Sequence, residues 1–206
     1  MSTDPLQRWT QRDLVGGVRS TPETELSAWI CNPSTGQPIE TQRSTSTMQV
    51  LRAIQIADDI DRAGTWRDTP LELRAQLMES IAQELDSHAP DIAEAEALGT
   101  GIVISVTRMF ADSLGSVFRD AANRLRSGWT STDLSEEQRP VRLLRLPWGP
   151  TVVLVPWNSP SGVASKKVAY ALAVGAPVIL KANEWAPYGC NLLADAIERA
   201  GVPSGA

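Results

Sequence analysis

The sequence predicts a mixed α/β chain, an N-terminal helical segment followed by the first βαβα of an open parallel sheet. Three observations predict it. Apolar residues recur at helical spacing from about residue 45 to residue 126. Beyond Gly128 the character changes, and a β-branched run, Thr151–Val155, marks a strand buried on both faces. Strand, helix, strand, helix then follow within the last fifty or so residues, and sequential parallel strands need a crossover helix between them.

Residues 1–24 read as a loose polar arm with a short strand near Leu14–Val18. Glu25–Ile30 alternates weakly and runs into Asn32-Pro33-Ser34-Thr35-Gly36, a turn signal, so a strand–turn–strand on an exposed edge is expected. A helix is expected over Thr45–Ala63, capped by Ser46 or Thr47 and closed by Gly64-Thr65, with Val50, Ile54, Ile56 and Ile60 as its apolar stripe. The next helix opens with Thr69 as cap, Pro70 in the first turn and Glu72 at the capping-box position. Its buried face is Leu73, Leu77, Ile81 and Leu85. Ala89-Pro90 breaks it, and Asp91–Leu98 is a short helix ending at Gly99-Thr100-Gly101. Val103–Arg126 reads as one long helix striped by Val106, Phe110, Leu114, Phe118, Ala121 and Leu125, with apolar surface left exposed.

Trp129–Arg139 reads as a polar linker and Val141–Leu146 as a strand. After the Pro147–Pro150 turn come the strand Thr151–Val155, the helix Ser161–Val174, the strand Val178–Lys181 and the helix Pro187–Ala200, with glycines at 175 and 201 as stops. The expected organisation is residues 1–128 as arm and helices, 129–147 as linker and strand, and 148–206 as the first half of the sheet. Two parallel strands do not make a stable sheet, and the sequence stops in the loop where a third would begin, which points to truncation.

Composition excludes several functions. The chain has 206 residues, 42% hydrophobic and 21% charged, as in an ordinary globular protein. A net charge of −5 argues against nucleic-acid binding, and no stretch approaches the roughly 20 apolar residues of a membrane span. The polar N-terminus carries no secretory core, so a cytoplasmic location is expected, with Cys31 and Cys190 as reduced thiols. One histidine, His88, sits in a polar helix-ending segment and reads as solvated, so neither a zinc site nor a Ser-His-Asp triad is expected.

Chemistry gathers where the two late strands end, because ligands of open α/β sheets bind beyond the carboxyl ends of the strands. The first ends in Val155-Pro156-Trp157-Asn158-Ser159-Pro160, the second in Leu180-Lys181-Ala182-Asn183-Glu184. Lys181 can donate and Glu184 accept, which suits a ribose, and the Asn158 amide can steady a developing oxyanion. The plainer alternative makes Lys181 and Glu184 a surface ion pair and Asn158 a helix cap.

VPWNSP, ALAVGAPVILKANEWAP and the closing AGVPSG resemble the NAD(P)-dependent aldehyde dehydrogenase superfamily. So do the turn Cys31–Gly36, the segment Trp66–Glu79 and Leu98-Gly99-Thr100-Gly101, in family order across residues 26–206. The resemblance implies a Rossmann-like sheet from a truncated dehydrogenase. It makes Asn158 the oxyanion-hole residue, Lys181 and Glu184 the pair on the adenosine ribose, and Pro156 and Trp157 the lining of the cofactor cleft. Lys167 matches a supporting lysine on the helix behind the active site. Glu184 favours NAD, with NADP second, because its charge would repel a 2′-phosphate. Ser159, Lys166, Ala182, Pro177 and Gly99 depart from the family pattern, the first two near the substrate tunnel. The family's glycine-rich loop, general-base glutamate, cysteine nucleophile and second cofactor glutamate all lie downstream of Ala206. The resemblance therefore implies a chain inactive alone, whose parent oxidises an aldehyde to an acid through a cysteine thiohemiacetal. A homo-oligomer is expected through an arm at about residues 130–146. The alternative is a non-catalytic module that pairs with a complementary chain.

Overall fold

The computed structural model describes residues 9–206; the part of the expected arm over residues 1–8 lies outside them. The arm begins with a tight hairpin, β1 (Asp13–Val15) against β2 (Val18–Ser20), where a single strand was expected. A second antiparallel pair, β3 (Thr24–Cys31) and β4 (Pro38–Ser44), closes around the expected Asn32–Gly36 turn.

Helix α1 (Thr47–Ala63) starts at Ser46, whose side chain accepts from the Gln49 amide while the Gln49 side chain accepts from the Ser46 amide; this reciprocal cap fixes the helix start. Its apolar stripe is not buried: Val50 and Ile54 are exposed, as are Met48 and Leu51, and only Ala57 is fully covered.

Helix α2 (Leu71–Ser87) corrects the expected start. Its cap is Pro70, without a side-chain bond; Thr69 donates its hydroxyl back to the Thr65 carbonyl, and Glu72 turns outward to pair with Arg126. The core face is also rotated. Ala75, Met78, Ile81, Ala82 and Leu85 are buried and Leu73 is exposed. The period-four reading tracked a row that spirals off the face of a 3.6-residue helix.

Helix α3 (Ala89–Thr100) takes Pro90 into its first turn, where the missing N–H costs nothing, and stops at Gly101 with φ of 75°. The expected long helix is two, α4 (Ile104–Ala111) and α5 (Leu114–Arg126). At the break Ser113 sends both its amide and its hydroxyl to the Phe110 carbonyl, a tight turn that redirects the chain. The redirection lets α4 pack on α3 while α5 packs on α2 and α6. Leu114, Phe118, Ala121 and Leu125 are consequently buried, so the expected exposed apolar surface is covered on α5, while Met109 of α4 stays exposed.

The expected linker contains a strand, β5 (Ser131–Asp133), paired antiparallel with β6 (Arg142–Leu144). Parallel strands β7 (Thr151–Leu154) and β8 (Val178–Lys181) are joined by α6 (Pro160–Val174), and α7 (Tyr188–Arg199) follows. This is the expected βαβα unit, with one correction. Only one face of β7 is covered: Val153 is 2% exposed, Val152 59% and Leu154 66%.

One apolar core runs from Trp66, Met78 and Phe118 through Val168 and Leu172 to Leu193. The Trp66 indole, fully buried, donates to the Leu172 carbonyl at 3.0 Å and ties the turn before α2 to the last turns of α6. Nearby, the Arg74 guanidinium stacks on Trp66 at 6.0 Å and lies against Gly175, the left-handed stop of α6, where a Cβ would stand 2.4 Å from Arg74 Nη1. Burial depresses the basicity of this guanidinium, and the carbonyl-rich end of α6 is the environment that suits its positive charge.

Candidate functional site

The register of β7 on β8 sets Leu154 beside Lys181, so both strands deliver their following loops to one edge. From β7 comes Pro156-Trp157-Asn158, all exposed; from β8 comes Lys181 to Glu184, with Lys181 and Glu184 exposed. Lys181 Nζ donates to Glu184 Oε2 at 2.6 Å, a contact that holds the Glu184 carboxyl below the usual carboxylate range, so it stands as an ionised acceptor.

The Glu184 loop is braced from behind. The Asn183 side chain accepts from the Trp185 amide at 3.0 Å, and the buried Gln42 of β4 donates to the Glu184 carbonyl at 3.1 Å. Sequence reasoning passed over Gln42, because a pairing 142 residues away leaves no local trace.

Behind the Asn158 loop, α6 begins without a cap of its own. Ser159 makes no capping bond and Pro160 has no N–H to offer. The Ser161 amide instead donates to Oε1 of Glu96, at 2.7 Å, from α3. Glu96 is 3% exposed, and burial raises its carboxyl above the ordinary range against the opposing pull of the Ser161 bonds. This residue was also missed, although a signal existed: its spacing from Ile92 and Thr100 puts a charge on the buried stripe of α3.

Lys166 and Lys167 sit side by side and exposed on α6. Burial pushes the Cys190 thiol up, with the Glu96 charge adding to it, and Cys31 is exposed at the end of β3. His88 is half-buried where α2 meets α3, its Nδ1 2.9 Å from the Glu84 carbonyl. Among the described residues no group of three His, Cys, Asp or Glu could hold a metal, and no helix is long and apolar enough to cross a membrane.

A parallel βαβα unit with polar groups gathered at its carboxyl edge defines a piece of an α/β nucleotide-type fold. Residues 21–206 match the model of the aldehyde dehydrogenase family, and the chain belongs to that family. Among curated relatives it is 30% identical, over 84% of its own length, to (Z)-2-((N-methylformamido)methylene)-5-hydroxybutyrolactone dehydrogenase of Acinetobacter baylyi, and spans 36% of that protein. Phenylacetaldehyde dehydrogenase of Pseudomonas fluorescens is 27% identical over 94% of the chain, which spans 40% of it. Among solved structures, betaine aldehyde dehydrogenase of Staphylococcus aureus in complex with NAD+ superposes with a TM-score of 0.87 at 25% identity, over 97% of this chain and 40% of that one. A mutant aldehyde dehydrogenase C of Pseudomonas syringae, in complex with NAD+ and octanal, gives 0.85 at 30% identity over 95% and 39%. The chain thus spans about two fifths of the relatives it matches, as the sequence led one to expect of an N-terminal portion.

Proposed function

We propose that this chain is the part of an aldehyde dehydrogenase that holds the adenosine half of NAD and presents the oxyanion donor, and that it is inactive by itself. The carrying observation is the Lys181–Glu184 pair on the rim that also bears the Asn158 loop. The residues fit half of a dinucleotide: a cation and an ionised carboxylate can hold the ribose hydroxyls, and the exposed Trp157 and Pro156 offer apolar walls. Glu184 favours NAD over NADP through its negative charge. When bound, NAD supplies a hydride acceptor. Asn158 donates to the oxygen that becomes anionic as an aldehyde is attacked, and Lys167 supports the helix behind it. The Cys190 thiol, buried and pushed up, is not suited to be the attacking thiolate.

In this reading the chain divides at about residues 128 and 147, and the β5–β6 hairpin is the arm of a homo-oligomer. Free thiols at both cysteines suit a cytoplasmic setting. A second reading is favoured by one observation. The open face of β7, with Val152 and Leu154 more than half exposed, suits a module that pairs with a complementary chain.

Saturation-transfer NMR of the purified chain with NAD tests the first reading. Saturation is expected on the adenosine protons and not on the nicotinamide protons, and Lys181→Ala should remove it. Equal transfer to both ends, or none lost in the variant, overturns it. No aldehyde-dependent absorbance at 340 nm is expected from the same sample; sustained turnover would refute inactivity.

A further inference from the structure

We propose that Glu96, a buried carboxylate on α3, is a positioning residue that fixes the Asn158 loop by capping α6 from outside its own chain segment. The inference rests on the reading of Asn158 as the oxyanion donor.

The argument starts from the bare end of α6. The first amides of a helix need acceptors, and the residue before the helix commonly supplies one. Here the Ser159 carbonyl accepts from the Val163 amide, but its side chain caps nothing, and Pro160 has no amide. Glu96 fills the role from 65 residues away, through the 2.7 Å bond from the Ser161 amide. Among the described residues the Glu96 carboxylate is held by Ser161, at the positive end of the α6 dipole, which balances its charge.

The surroundings are shaped for this carboxylate. On α7, Gly189 leaves the space: a Cβ there would lie 2.6 Å from Glu96 Oε1. Cys190 is the titratable group facing Glu96 from α7; burial keeps its thiol neutral across the ordinary pH range. Facing it from α6 is Ser161, and on its own helix the Thr100 hydroxyl donates to the Glu96 carbonyl at 2.7 Å.

The loop has little else to hold it. Residues 156–158 are exposed, whereas Pro160 and Ser161 are buried. Ser161, three positions after Asn158, is 1% exposed, and its amide is tied to Glu96. Changing the charge on Glu96 changes the strength of that tie, and the change is passed along three residues to the donor.

The test follows amide and carboxyl signals of the whole chain by NMR between pH 4 and 8. The Glu96 side-chain carbon, the Ser161 amide proton and the backbone and side-chain amides of Asn158 are expected to titrate with one shared midpoint, above the ordinary glutamate value. The Ser161 proton should move upfield as the carboxylate is protonated. Glu96→Gln, which keeps the shape, should flatten all these curves, and Glu96→Ala should speed Ser161 amide exchange at least tenfold. If Ser161 titrates and Asn158 does not, Glu96 is a helix cap only and the proposal falls. If Ser161 does not follow Glu96, it falls as well. The wild-type titration decides even if a variant fails to fold. No cofactor enters the measurement, so a failed NAD result with a shared titration would sink the cofactor reading and leave the positioning intact.

Discussion

The helical side of the molecule and its parallel sheet were built from similar residues and reached different ends. Between α2, α5 and α6 the side chains are closed in: Trp66, Met78, Ile81, Leu85 and Phe118 are completely buried. Across β7 the burial alternates, with Val153 covered by the helices and Val152 and Leu154 facing outward. A β-branched run specifies a strand, but what lies on its second face is decided by other parts of a structure.

Substitutions on the two sides should separate sharply in urea unfolding of the chain. Trp66→Ala removes a fully buried indole together with its bond to the Leu172 carbonyl, and a loss of about 3–5 kcal/mol is expected. A loss under about 1 kcal/mol would mean that the helical side is not the closed core described. Within β7, Val153→Ala should cost about 1.5 kcal/mol, from two buried methyl groups at about 0.8 kcal/mol each. Its neighbour Val152→Ala should stay within about 0.5 kcal/mol. Equal costs would show that the outer face of β7 is covered in solution, which would favour self-association or a partner.

The smallest expected effect is on pH. The folded carboxyl of Glu96 titrates above its unfolded value, so the folded chain holds that proton more tightly. Its contribution to stability is complete below the ordinary glutamate value and is lost as pH rises through the raised one. Urea midpoints at closely spaced pH values should show this loss in the wild type and not in Glu96→Gln. An unchanged slope between the two would contradict a raised Glu96.

Much of this was legible locally. Ser46, offered with Thr47 as the cap, marked the start of α1, Gly64, Gly101 and Gly175 marked three helix ends, and the spacing of β7, α6 and β8 indicated the crossover. Asn158, Lys181 and Glu184 could be set on one edge because both strands point the same way. What stayed hidden depends on distant partners. The break at Ser113 follows from different docking surfaces for α4 and α5, and β5 exists because β6 pairs with it. Among the described residues none covers the side of α1 that bears Val50 and Ile54, and both are exposed. Gln42 and Glu96 act across 142 and 65 residues, separations at which a polar letter in a helix or strand gives no hint of its partner.

The indole bond from Trp66 divides the behaviour of α6 along its length. Its rear turns are bolted to the helical layer, so they cannot fray without unfolding that layer too. The front turn is closed by the Val163 amide on the Ser159 carbonyl and tied to α3 by the Glu96 side chain. The helix is thus anchored at both ends, with the rear turns as the mount and the front turn carrying the loop of the amide donor.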